Sequence, residues 1–265
     1  MKIKLYQIDA FTSKLFGGNP AGVCTLDAWP KDDLMQAIAK ENNLAETAFF
    51  VPEGKNYSLR WFTPKVEVDL CGHATLAASF VIFNCLGYKH NEIIFSSRSG
   101  ILKTSRKDDF ITLDFPAIGQ EKIDIPAKLT EALGKEPLET YMSGDYMAVF
   151  RSEEDILSLK PDFGKLLYFG CRGVITTARG KNCDFVSRFF APAVGIDEDP
   201  VTGSAHCQLV PYWTEKLAKE EFHAMQLSER GGELICKNLG DRILISGRAV
   251  KYMEGTIEIF QTDGL

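Results

Sequence analysis

The chain has 265 residues, 45% of them apolar and 25% charged, with 36 acidic side chains against 30 basic ones and a formal charge of −6. This composition fills a sizeable core and excludes a disordered or fibrous protein. The acidic balance argues against nucleic acid or an anionic membrane as a standing partner. The length suits one large domain or two of about 130 residues. Seven scattered cysteines form no C-x-x-C pair, which points to a reducing, cytoplasmic setting. Met1 to Asp9 has no apolar signal core, and the longest apolar run, Ala74 to Phe83, is about half a bilayer span.

In chain order, Lys4 to Ala10 reads as a strand, and Phe16 to Gly22, rich in glycine with one proline, as a loop. Lys31 to Asn43 has helical spacing after Pro30, with Asn42-Asn43 as its stop. Leu44 to Val51 and Ser58 to Phe62 read as strands. Gly72 to Leu86 is apolar on nearly every side and predicts a helix buried all round. Short strands follow at Ile93-Phe95, Ile101-Thr104 and Ile111-Phe115. Pro116 to Pro126, with two prolines, a glycine and three charges, is the best linker candidate. Beyond it come strands at Tyr146-Phe150, Gly173-Thr177, Phe185-Phe190 and Arg242-Ile245, and an apolar helix from Gly203.

An internal repeat organises these elements. Arg60 to Asp69 aligns with Arg188 to Asp197 at an offset of 128, with Arg, Phe, Pro, Val and Asp identical. A three-residue insertion then brings Cys71-Gly72-His73-Ala74 onto Thr202-Gly203-Ser204-Ala205. The expected fold is therefore α+β: two similar halves related by a pseudo-two-fold, each a β-barrel-like sheet wrapped around a central helix. Their spans are 1–118 and 119–265, with the last strands free to return to the first half. Each helix start offers unpaired N–H groups and a partial positive charge, suited to carboxylates and enolates.

Glu46 is the most informative residue. In a strand from Leu44 to Phe50 it shares a face with Leu44, Ala48 and Phe50, so it needs either a partner or a raised pKa, the latter being what a general acid/base requires. The plain alternative is an ion pair with Arg60 or Arg188. His73, beside Gly72 and Ala74 at the first helix start, suits hydrogen bonding or proton relay, and Cys71 is a thiol at the same place. Asp199, Thr202, Gly203 and Ser204 gather at the second start, where Asp and Thr also read as helix caps. His206 carries no assigned role. No metal-binding spacing, P-loop, dinucleotide fingerprint or hydrolase elbow is present, so neither metal nor cofactor is expected.

The order Ile8-Asp9-Ala10-Phe11, Gly18-Asn19-Pro20-Ala21-Gly22, Asn43-Leu44-Ala45-Glu46-Thr47, Arg60-Trp61-Phe62-Thr63-Pro64, Cys71-Gly72-His73-Ala74-Thr75 and Asp199 to Ala205 resembles the PhzF (phenazine biosynthesis-like) family. The resemblance implies the diaminopimelate-epimerase-like fold, cofactor-independent proton transfer in a cleft between the halves, and often a homodimer. It implies Glu46 as acid/base, His73 and Asp199 assisting, and Gly72, His73, Ala74, Gly203, Ser204 and Asn19 around a small carboxylated substrate. The phenazine-pathway member isomerises trans-2,3-dihydro-3-hydroxyanthranilate. Epimerases of the same fold use one thiol at each helix start. Here Cys71 faces Thr202 in the repeat, which breaks that pair, since a threonine hydroxyl is no base near neutral pH. The retained Cys71 keeps a racemase-like activity as the alternative, beside a binding or adaptor protein that kept only the fold.

Overall fold

The computed structural model describes residues 1–260. The chain divides into two compact units, Met1–Asp114 with Ser246 onward, and Phe115–Ile245. The end of the chain therefore leaves the span 119–265, because the strand Ala249–Glu258 pairs antiparallel with Lys2–Ala10 from Lys2↔Glu258 to Ala10↔Ala249. Pro116 to Pro126 is no free linker either. Glu121–Ile123 is a strand paired with Glu139–Met142, and Ala117 and Ile118 donate their N–H groups to Asp241 and Cys207 carbonyls, both at 2.9 Å.

In the first unit, Lys2–Ala10 also pairs antiparallel with Asn19–Thr25, which lies parallel to Glu46–Glu53. Parallel neighbours need a crossover, and helix Asp32–Asn42 supplies it. Asp32 and Asp33 sit in its first turn, Lys40 in its last, and Asn43 closes it in the left-handed region (φ 49°), each favourable for the helix dipole or its carbonyls. Its Met35, Ile38 and Ala39 pack on Cys24, Phe49 and Phe62. Glu46–Glu53 then pairs antiparallel with Asn56–Phe62, which meets Glu67–Val68 and runs parallel to Glu92–Ser97. The second crossover is helix Gly72–Cys85, buried from His73 to Ser79 and again at Val81, Ile82 and Phe83. Strands from both ends of the unit pack against it, including Lys2–Ala10, Gly100–Lys107 and Ala249–Glu258. Each of its large apolar side chains contributes about 1.5–3 kcal/mol by leaving water.

The segment expected as a loop at Phe16 to Gly22 enters a strand at Asn19. Pro20 is tolerated near the start of this strand, where the parallel neighbour begins only at Ala21↔Glu46 and asks no N–H of it. Gly22 is required by close approach: a Cβ there would stand 2.9 Å from Thr47 Oγ1 and 3.2 Å from Asn42 Nδ2.

The second unit repeats this wiring strand for strand. Glu139–Met142 pairs antiparallel with Tyr146–Val149, which is parallel to Val174–Arg179 across the short helices Glu153–Ser158 and Phe163–Leu166. Val174–Arg179 pairs antiparallel with Phe185–Ala191. That strand meets Ile196–Glu198 and lies parallel to Glu221–Gln226 across helix Gly203–Leu217. Pro211 inside this helix removes the N–H that would bond the Cys207 carbonyl, and Ile118 occupies that acceptor instead.

The structure also corrects the repeat's register. Arg60 holds Glu67 through Nε and Nη2 at 2.7 and 2.8 Å, and Arg188 holds Glu198 identically at 2.7 and 2.8 Å. Glu67 therefore corresponds to Glu198, not to Gly195, and the three-residue insertion lies in the turn around Pro192–Val194. Two further bonds recur. Ser99 Oγ donates to Asp69 O at 2.6 Å, as Ser228 Oγ does to Pro200 O at 2.7 Å. Thr75 Oγ1 donates to Cys71 O at 2.6 Å, as His206 Nδ1–H does to Thr202 O at 2.9 Å. Among the described residues no helix is long and apolar enough to cross a membrane.

Candidate active site

In the first unit, Glu46 stands at the entry of its strand, three residues beyond the left-handed Asn43. The expected alternation of one buried face does not hold, because Thr47, Ala48, Phe49 and Phe50 are all buried on a strand covered on both sides. What pins Glu46 is its junction: Asn42 Nδ2, at the end of the preceding helix, donates to Thr47 Oγ1 at 3.1 Å. Arg60 and Arg188 are not its partners, since their guanidinium groups turn to Glu67 and Asp32, and to Glu198. Instead Glu46 Oε2 lies 3.2 Å from His73 Nε2.

His73 is the second residue of helix Gly72–Cys85 and is 7% exposed. Asn19, fully buried at the start of its strand, places Nδ2 3.2 Å from His73 Nδ1. An amide nitrogen only donates, so Nδ1 is the acceptor and the ring proton sits on Nε2, facing Glu46. Burial holds the imidazole neutral, pushing its pKa down to about 3. Cys71 Sγ lies 3.5 Å from the same Nδ1. Donor atoms of Glu46, Cys71 and His73 fall within 4.8 Å of one another, a convergence that sequence spacing did not reveal. The thiol and the carboxylate flank opposite nitrogens of this one imidazole. Neither Cys71 nor Thr202 caps its helix with its side chain.

In the second unit, Asp199 and Ser204 gather at the start of helix Gly203–Leu217. Thr202 Oγ1 donates to Asp199 Oδ2 at 2.5 Å rather than capping the helix, which corrects the capping expectation. Gly203 is buried in the first turn. Ser204 Oγ accepts from Arg172 Nη1 at 3.1 Å, and Arg172 is held by the buried Asp145 through Nε at 3.0 Å and through Nη2. Arg172, Asp145 and Gln226 carry no motif of their own. Only the fold brings them to this helix start, so sequence reasoning had no signal for them.

The buried histidines make stability fall in acid. Burial lowers the pKa of His206 to about 4, against its hydrogen bond to Thr202. Both histidines are therefore depressed below the ordinary value near 6.5. As pH falls from about 6.5 towards 4, the unfolded chain binds protons that the folded chain refuses, and stability is lost over that window. The loss at pH 4.5 is roughly 2 kcal/mol per histidine. Urea midpoints between pH 7 and 4.5 should fall less steeply for His206→Asn than for the parent; parallel lines would show that His206 titrates as it does in the unfolded chain.

The family model described as PhzC-PhzF, phenazine biosynthesis-like protein, matches residues 8–255. A Pseudomonas aeruginosa protein named an uncharacterized isomerase is 51% identical, over 98% of this chain and 100% of its own. The crystal structure of a PhzF-family phenazine biosynthesis protein from Enterococcus faecalis superposes with a TM-score of 0.96 at 45% identity, covering 98% of this chain and 100% of that one. A hydroxyproline epimerase from Agrobacterium vitis shares the fold alone, with a TM-score of 0.64 at 11% identity over 97% of this chain and 92% of its own. With an α+β architecture of two like-wired units and a match over nearly its whole length, the chain belongs to the PhzC-PhzF, phenazine biosynthesis-like family.

Proposed function

We propose that this protein is an isomerase that moves a proton on a small carboxylated substrate, with Glu46 as the general acid/base. The observation that carries this is the 3.2 Å approach of Glu46 Oε2 to His73 Nε2, with His73 fixed as the neutral Nε2–H form by burial and by Asn19. A carboxylate poised on a neutral imidazole N–H can take a proton from carbon and return it elsewhere without a cofactor. The contact is close but poorly aligned, as catalytic hydrogen bonds often are before substrate arrives.

The uncapped start of helix Gly72–Cys85, at Gly72 and Ala74, supplies N–H groups for negative charge developing on the substrate. Asp199, Gly203 and Ser204 are proposed to act on the same substrate, held in the cleft that the family resemblance implies. The two-thiol route of epimerases is disfavoured, because the place matching Cys71 is Thr202, whose hydroxyl is committed to Asp199. Incubation with trans-2,3-dihydro-3-hydroxyanthranilate and a panel of cyclic and α-substituted carboxylates in D₂O tests the reading. Deuterium enters carbon in the parent protein and not in Glu46→Gln; equal incorporation by both proteins refutes Glu46 as the base.

A further inference from the structure

We propose that Gln226 and Thr202 form a hydrogen-bond relay that positions the Asp199 carboxylate; this rests on the reading that Asp199 acts in the reaction. Gln226 is fully buried, on the strand Glu221–Gln226. Its Oε1 accepts the Thr202 N–H at 2.8 Å, while its Nε2 donates to Asp199 O at 2.7 Å and to Thr202 Oγ1 at 3.2 Å. The amide orientation is fixed by chemistry, since a backbone N–H can only donate and a backbone carbonyl can only accept. With Thr202 Oγ1 accepting from Gln226, its single hydrogen is directed to Asp199 Oδ2 at 2.5 Å. This is a charge-assisted bond that fixes one carboxylate oxygen.

The other unit shows that the fold does not need this relay. There Cys71 stands at the place of Thr202, Val68 at that of Asp199 and Ser97 at that of Gln226, and Ser97 Oγ merely turns to Gly100 O at 2.9 Å. Yet that helix starts in the same way, with the same arginine–glutamate pair and the same serine bond before it. The features common to both units build the fold, whereas the relay is confined to the unit that carries Asp199. Gln226 and Thr202 are thus positioning residues, acting through the carboxylate they hold.

Thr202→Val and Thr202→Ser test this. Their crystal structures need no substrate: the Asp199 carboxylate stays on the serine hydroxyl and leaves its place in the valine variant. In the D₂O assay, Thr202→Ser stays within about twofold of the parent, while Thr202→Val loses roughly 10- to 100-fold in kcat with little change in KM. Gln226→Leu behaves as Thr202→Val does, and neither change adds a loss in an Asp199→Asn background. An Asp199 side chain unmoved in Thr202→Val overturns the relay, as does an equal kcat loss from Thr202→Val with and without Asp199. Full turnover by Asp199→Asn would instead strike the reading beneath it, leaving the crystal structures to judge the relay.

Discussion

Glu46→Gln is expected to lower proton exchange by roughly 10²- to 10⁴-fold, the usual contribution of a positioned general base. The substitution keeps the side chain's size and its place at the strand entry, so the loss should appear in turnover and hardly in stability. On the proposed reading, in which the neutral imidazole orients the Glu46 carboxylate and the carboxylate carries the proton, His73→Asn should be milder. The ordering of the two effects is the informative result. A larger loss at His73 than at Glu46 would assign the proton transfer to the imidazole.

Arg188→Met is expected to cost about 2–3 kcal/mol of folding stability, somewhat below the range for breaking a fully buried ion pair from one side, because this pair is only partly buried. Arg188 pairs with Glu198 through two bonds, donates through Nη1 to the carbonyls of Ile156 and Leu159 at 3.1 Å each, and lies over the Phe190 ring at 4.9 Å. The Glu198 side chain is 20% exposed, so water replaces only part of what is lost. Arg60→Met should cost less, because Arg98 also reaches Glu67, at 2.7 Å, and keeps that carboxylate neutralised. Urea unfolding with an unchanged m-value measures both. Equal costs would contradict the part assigned to Arg98.

The buried helices were legible because an apolar run with no polar face has one stable location, and Gly72–Cys85 and Gly203–Leu217 lie close to where the pattern predicts them. The repeat was legible through Arg60 and Arg188, whose partners complete a motif. Its register was not, because Gly195 stands at the aligned distance while Glu198, three residues on, makes the bond. The strand at Asn19–Thr25 was hidden by Pro20 and Gly22, residues that mark turns unless a neighbouring strand is missing or pressed close. In the candidate site, Glu46 and His73 were visible as polar residues in apolar settings. Asn19, 54 positions from His73, was known only from the family resemblance. Gln226 was not visible at all: a buried amide on a strand has no local signature, and its role exists only once the chain has brought it to Thr202.

Pro211 carries a consequence for how the chain opens and closes. A proline within a helix costs about 3 kcal/mol in isolation, yet here the carbonyl it frees is bonded by Ile118, beside Ala117, which is bonded to Asp241. The stretch entering the second unit is thus stitched by two amides to residues far along the sequence. Those amides can exchange with solvent only when the helix middle or the Asp241 turn comes apart. Ala117 and Ile118 should accordingly show hydrogen-exchange protection nearer to that of the core strands than to that of exposed turns such as Ser97–Gly100. The proline then exchanges a bond inside one helix for a tether across the unit.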